Sequence, residues 1–94
     1  MTVYPVNVPR KHYRGTKSRL RQKARRYNEI AQICEDYLNR RIAERPEEVQ
    51  QYTYAFMASD LNLTTAQVRE VMFGVDAGHN GITVRKLPPQ QVLK

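Results

Sequence analysis

Apolar residues recur at intervals of three and four across residues 17–43, where Leu20, Ala24, Tyr27, Ala31, Cys34 and Leu38 form one stripe. Ile30, Ile33, Tyr37 and Ile42 widen that stripe in its C-terminal half. Neither Pro nor Gly interrupts the run, and the spacing predicts a single long helix. Gly15 and Thr16 punctuate its start, with Thr16 or Ser18 as the candidate N-cap. The half after Arg26 has a face to bury. The half before it has only Leu20 and Ala24, with charges on all sides, and is expected to project from the domain.

Glu44-Arg45-Pro46 ends this helix, because a residue before proline is biased away from helical geometry. Pro46 suits the first turn of a new helix, and Glu47 and Glu48 would face its positive end. Val49, Tyr52, Phe56 and Ser59 fall on one face of that helix, which assigns Tyr52 and Phe56 to the core and leaves Tyr54 at the surface. Residues 54–73 then divide into two short helices joined at Asn62, a residue type that accepts a left-handed backbone. Met57 is buried in the first helix, Ala58 is small where the helices cross, and Leu61 and Leu63 plug the corner. Thr64 followed by Gln67 is a reciprocal capping box. Val68, Val71, Met72 and Val75 share the inward face of the second helix, which leaves Thr65, Ala66, Arg69, Glu70 and Phe73 on or near the outward one. Its end falls near residues 75–77, between Gly74 and Gly78.

The two ends of the chain read as extended. Residues 1–9 carry two prolines and three valines and suit an edge strand or a docked arm, with a frayed terminus as the alternative. Asn80-Gly81 before the alternating run Ile82, Thr83, Val84, Arg85 predicts a tight reversal into a strand. Its partner is either a hairpin strand from residues 75–78, for which the composition is poor, or residues 2–8. Residues 87–94, with Pro88 and Pro89, read as an extended tail. The predicted fold is mainly α, with an extended basic arm over residues 1–16, a three-helix domain over 17–86 and a tail over 87–94.

Composition adds one decisive feature. A chain of 94 residues with 40% hydrophobic content suits one small core. It has no apolar run of spanning length and no secretory signal, so no membrane partner and a cytoplasmic location are expected. The net charge of +7 is unevenly placed, since residues 10–26 hold nine cations and no acid. These are Arg10, Lys11, Arg14, Lys17, Arg19, Arg21, Lys23, Arg25 and Arg26, and the rest of the chain has seven basic and nine acidic residues. A polyanion-binding segment needs such a concentration, and a merely soluble surface does not.

The spacing of Met57, Ala58, Leu61, Asn62, Leu63, Val68 and Val71 resembles the helix-turn-helix family of DNA-binding proteins, although that family usually has Gly where Asn62 stands. The strand signal at residues 82–85 resembles the wing of its winged helix members. The resemblance covers about a fifth of the chain. It implies a three-helix core with a short C-terminal β wing and a duplex DNA partner, hence a small transcriptional regulator or accessory DNA-binding factor. It places Thr65, Ala66, Arg69 and Glu70 at base edges in the major groove, with Arg69 suited to guanine, Ala66 to a thymine methyl and Glu70 to cytosine or to repelling phosphates. Phosphate contacts would come from Tyr54 and Thr64, from Arg19, Arg21, Arg25 and Arg26, and from Arg85 and Lys86 beside the wing. Homodimerisation is an expectation carried from the family.

Catalysis finds no constellation. His12 and His79 have no partners at an interpretable spacing, the acids Glu35, Asp36, Glu47 and Glu48 read as solvated or dipole-facing, and no phosphate loop, metal cluster or repeat is present. Cys34 stands alone and reads as a buried thiol. The expectation is a non-enzymatic binding module without cofactor or metal. Two alternatives remain beside DNA: RNA binding, which suits Tyr13 and Tyr27 among cations, and a protein-interaction module with a solvated basic arm.

Overall fold

The computed structural model describes residues 2–75 and 80–86. Among them three helices and three strands follow in the order β1 (Thr2–Val3), α1 (Ser18–Glu44), β2 (Val49–Thr53), α2 (Tyr54–Leu61), α3 (Thr65–Met72) and β3 (Gly81–Arg85). No helix among the described residues is long and apolar enough to cross a membrane.

Helix α1 has the predicted length, and its predicted stripe is the centre of the core. Tyr27, Ile30, Ala31, Cys34, Tyr37, Leu38 and Ile42 are buried, whereas Leu20 and Ile33 are exposed. Residues 18–26 bury nothing, and only Ala24 is even half-buried. The expected side-chain cap is not found: Lys17 is the N-cap residue and makes no capping bond. At the other end Arg45 is extended, as the following proline dictates.

Residues 49–53 depart from the reading. They form strand β2 and not the start of a helix, so Pro46, Glu47 and Glu48 open no helix. The coincidence that misleads is the spacing of Val49, Tyr52 and Phe56, which also fits a helix. Yet Val, Tyr and Thr are strand formers, and the observed burial alternates, with Gln50 and Tyr52 inward and Val49, Gln51 and Thr53 outward. Helix α2 begins at Tyr54, capped by Thr53, whose Oγ1 accepts from Phe56 N–H at 3.1 Å. The switch from strand to helix at Thr53 also reverses two expected faces. Tyr54 is 1% exposed and belongs to the core, whereas Phe56 is 48% exposed.

The strands form one sheet in the order β1-β3-β2. Strand β3 pairs antiparallel with β2, Gln50 opposite Val84 and Tyr52 opposite Ile82, and parallel with β1, Thr2 opposite Val84. Of the two partners considered for residues 82–85, the N-terminal segment is the one observed, joined by β2. The hairpin strand expected of a wing falls largely on residues 76–79, outside the described residues, and Val75 lies in a turn. The tail over 87–94 is also outside them. Gly81 is required by closeness: a Cβ there would fall 3.0 Å from Thr53 Cα and nearer still to the Tyr52 carbonyl.

The N-terminal segment is not a free arm. Val6 and Val8 are buried in the core cluster with Met57, Val68, Val71, Met72, Ile82 and Val84. Side chains on one stripe of α1 hold its backbone. Val6 N–H donates to Asn39 Oδ1 at 2.7 Å, and Asn39 Nδ2 donates back to the Val6 carbonyl at 3.0 Å. Val8 N–H donates to Glu35 Oε1 at 2.9 Å. Lys11 N–H donates to Asn28 Oδ1 at 2.8 Å, while Asn28 Nδ2 donates to the Lys11 carbonyl at 2.9 Å. Asn28, Glu35 and Asn39 are spaced seven and four apart, which places them on one helix face.

Candidate nucleic-acid interface

The turn between α2 and α3 is built as its residues dictate. Asn62 adopts φ 57° and ψ 42°, the left-handed region, and its N–H closes α2 onto Ala58 and Ser59 carbonyls. Leu63 N–H then donates to the Ala58 carbonyl at 2.9 Å. Ala58 is buried at the crossing, and Leu61 and Leu63 pack partly buried against the core. The start of α3 is fixed by the full capping box, with Gln67 N–H donating to Thr64 Oγ1 at 3.1 Å and Thr64 N–H to Gln67 Oε1 at 2.9 Å. Both bonds satisfy amide groups that would otherwise be orphaned at a helix start.

With Val68, Val71 and Met72 buried, the outward face of α3 is fixed as Ala66, Arg69, Glu70 and Phe73. Thr65 is half-buried beside it, and Phe73 is 65% exposed. Four residues at this spacing share one side of a helix. The Arg69 guanidinium has no hydrogen bond or ion pair among the described residues.

The basic segment meets this face at Glu70. A groove between α1, the chain leading into it and α3 is lined by Lys11, His12, Tyr13, Lys23, Tyr27 and Glu70. Lys11 Nζ stands 4.3 Å from the centre of the Tyr27 ring. Burial raises the Tyr27 phenol above its ordinary value, and the nearby Glu70 carboxylate raises it further. A second shallow cleft, on the neighbouring side of α1, is lined by Arg10, His12, Arg14, Arg21, Arg25 and Asn28 among others. The bonds between Asn28 and Lys11 hold residues 10–14 alongside the exposed half of α1, so cations from two stretches of chain stand in two rows. Two of them are paired with acids, Arg10 with Glu35 at 3.5 Å and Arg26 with Glu29 at 3.3 Å. Among the described residues Arg14, Arg19, Lys23 and Arg25 have no ion pair, and the Arg21 guanidinium donates only to the Gly15 carbonyl at 3.3 Å.

Three candidates for phosphate contact are placed elsewhere. Tyr54 is in the core, where its ring has no surface to offer. Lys86 Nζ donates to the carbonyls of Ala43 and Arg45, at 3.3 and 2.9 Å, and so closes the C-terminal end of α1. Arg85 is exposed on the same end of the sheet, opposite Val49. That end is remote from Arg19, Arg21, Arg25 and Arg26: the eighteen residues from Arg26 to Glu44 span about 27 Å of helix. Sequence reasoning missed the stripe Asn28, Gln32, Glu35 and Asn39, which positions the cations of residues 10–14. Its signal was present as polar residues at helical spacing beside the apolar stripe.

Two further groups are shifted by burial. Burial pushes the Cys34 thiol up to about 11. Tyr37 is pushed up to about 12, first by burial and then by its hydrogen bond to Asp60, donated at 2.6 Å. No group of three or more His, Cys, Asp or Glu able to hold a metal ion occurs among the described residues. No family model, curated protein or solved structure matches this chain.

Proposed function

We propose that the chain is a double-stranded DNA-binding module in which α2, the Asn62 turn and α3 act as a helix-turn-helix. The observation that carries this reading is the shared groove: Glu70 on the outward face of α3 and Lys11 and Lys23 of the basic segment line one surface. A helix presented to a duplex by its neighbours needs base-reading and phosphate-binding groups on the same side, because the phosphates flank the groove that the helix enters. Arg69 is the candidate for guanine, Ala66 for a thymine methyl, and Thr65 for either kind of partner. Phe73 adds an apolar contact at the end of the same face. Glu70 accepts from cytosine or disfavours wrong registers by repelling phosphate. Arg19, Arg21, Arg25 and Arg26, with the cations of residues 10–14, neutralise the backbone. The reading does not depend on a wing. A small transcriptional regulator or accessory DNA-binding factor is the role that fits, with a second copy reading a second half-site.

The test is competition among duplex DNA, structured RNA and no nucleic acid, followed by the salt dependence of the preferred complex. Replacing Arg19, Arg21, Arg25 and Arg26 by Gln keeps helix propensity. If all four contact phosphate, the slope of log K against log salt becomes shallower by up to about 3.6 units, at about 0.9 per phosphate. Preference for structured RNA would transfer the site to the RNA alternative. An unchanged slope and affinity in the folded quadruple variant would reduce the basic helix to a solvated face.

A further inference from the structure

Strand β2 is an open edge of the sheet, and charged side chains stand beside it. Lys86 N–H donates to the Glu48 carbonyl at 2.7 Å and Tyr54 N–H to the Asn80 carbonyl at 2.8 Å. In an antiparallel ladder such bonded positions alternate, so Gln50 and Tyr52 also bond inward to β3. The N–H and C=O groups of Val49 and Gln51 therefore point away from the sheet. Thr53 adds only its N–H, because the carbonyl of an N-cap residue accepts the first bond of its helix. Beside these groups runs an open groove of about 450 Å³, whose walls include Arg41, Arg45, Glu47, Val49 and Phe56. Val49 and Phe56, 47% and 48% exposed, are its exposed apolar side chains.

The two arginines lack acceptors. Gln50 Nε2 donates to the Ile42 carbonyl at 3.3 Å, so the side of β2 that carries Gln50 and Tyr52 looks onto the C-terminal end of α1. Arg41 is held there between two rings, 5.4 Å from the centre of Tyr37 and 5.5 Å from that of Phe56. Its one ion pair, to Asp60, is a single contact of 3.6 Å, and Asp60 also accepts from the Tyr37 hydroxyl at 2.6 Å. Arg41 Nε is buried without an acceptor. Arg45 is exposed, and among the described residues neither it nor Glu47 has an ion pair.

We propose that this edge takes an extended segment of a partner protein as a further strand, with an acidic side chain directed at Arg41 and Arg45. Val49 and Gln51 each offer such a strand a donor and an acceptor, and Thr53 offers a donor. Side chains of an added strand alternate between faces. Those on the Gln50 and Tyr52 side meet the guanidiniums, where a carboxylate supplies the missing acceptors to a group already held in place. The others lie beside Val49 and Gln51. This chain offers no equivalent occupant, since β2 of a second copy holds no acid and neither do residues 87–94.

The experiment selects displayed random decapeptides on the full chain without nucleic acid, so its outcome is independent of DNA binding. Enriched peptides are expected to carry Asp or Glu at a fixed place among apolar residues. The most enriched one, synthesised and titrated by fluorescence anisotropy, should bind with a Kd raised about 5-fold by Arg45→Gln, by Arg41→Gln, or by an amide in place of its own carboxylate. The exposed Arg45 and the peptide variants decide the matter if Arg41→Gln fails to fold. N-methylation along the peptide should raise Kd ~10-fold at alternate residues only, the mark of a paired strand, and hydrogen exchange should slow at the Val49 and Gln51 amides. The proposal is overturned by failure to enrich any peptide, by enriched peptides without an acid, or by full affinity for Arg45→Gln. Two further results overturn it by naming another occupant. A free chain that doubles its mass from 11.0 kDa and protects these amides gives the edge to a second copy, and the same protection in a monomer gives it to residues 87–94.

Discussion

Asn39→Ala tests how the N-terminal segment is held. In the native chain Asn39 bonds both the N–H and the C=O of Val6, a residue with no exposed surface. Truncation to Ala leaves two backbone groups without their partner. A buried donor orphaned in this way costs about 1–3 kcal/mol, and a carbonyl with its second lone pair costs less. Asn39 itself is half-buried, so water recovers part of the loss. The expected net cost is about 2 kcal/mol, or about 8–16 °C in Tm for a domain of this size. Asn28 makes the same double bond to Lys11, but in solvent. Asn28→Ala should therefore cost only about 0.5 kcal/mol, because water replaces the lost bonds. Urea unfolding of both variants gives the difference, and hydrogen exchange at the Val6 and Val8 amides tells local release of the segment from global loss. Equal costs for the two variants would refute the reasoning, since burial is the only thing that separates them. So would a cost below about 0.5 kcal/mol for Asn39→Ala.

Arg69→Ala should weaken binding to a preferred duplex by about 1–3 kcal/mol and leave affinity for scrambled duplex nearly unchanged; equal loss on both rejects a base-edge role. Asn62→Gly should shift stability by no more than about 1 kcal/mol, since Gly adopts the left-handed turn freely but loses more entropy on folding. Asn62→Val should cost about 1–2 kcal/mol, because a β-branched residue resists that turn. A Val variant as stable as the parent in urea would place Asn62 outside the left-handed region. Tyr37 holds its proton more tightly folded than unfolded, so its contribution is complete below its ordinary value of about 10 and is lost as pH rises through about 12. Tyr37→Phe should flatten the alkaline fall in the urea midpoint, with the remaining slope assigned to groups such as Tyr27.

What was legible in the sequence was whatever local chemistry decides. The capping box of Thr64 and Gln67, the left-handed Asn62 and the stripe of α1 each involve residues a few positions apart; the first two are found as read, and the stripe is buried from Tyr27 onward except for Ile33. Strand β2 was not legible because its partner is about thirty residues away, while Val49, Tyr52 and Phe56 imitate a helical face. Tertiary pairing overrode that pattern and exchanged the environments of Tyr54 and Phe56. In the candidate site the outward face of α3 could be read from the inward one. The placement of residues 10–14 could not, because it depends on side chains of α1 that approach from elsewhere in the chain. Lys86 illustrates the same limit, since no local rule ties it to the carbonyls of Ala43 and Arg45.

Helix α1 is a single element with two electrostatic regimes, and the division falls at Tyr27. Its first turn has no acid and no side-chain cap, so the partial positive charge of the helix start lies among cations. Acids in that turn would each have stabilised the helix by about 0.3–1 kcal/mol. Instead the start is supported by Lys17 N–H donating to the Tyr13 hydroxyl, Arg21 donating to the Gly15 carbonyl, and continuity with the buried half that follows. Continuity matters because residues 18–26 alone would make a helix too short to be stable in water. The buried half thus carries a charged half that could not stand alone. Under the proposed function, the repulsion that weakens the free helix start becomes an attraction when phosphate approaches, and the docked N-terminal segment brings Lys11 and Arg14 to the same side. The core of α1 and its exposed end then serve one purpose: packing supplies the rigidity that lets unneutralised charge be held in place.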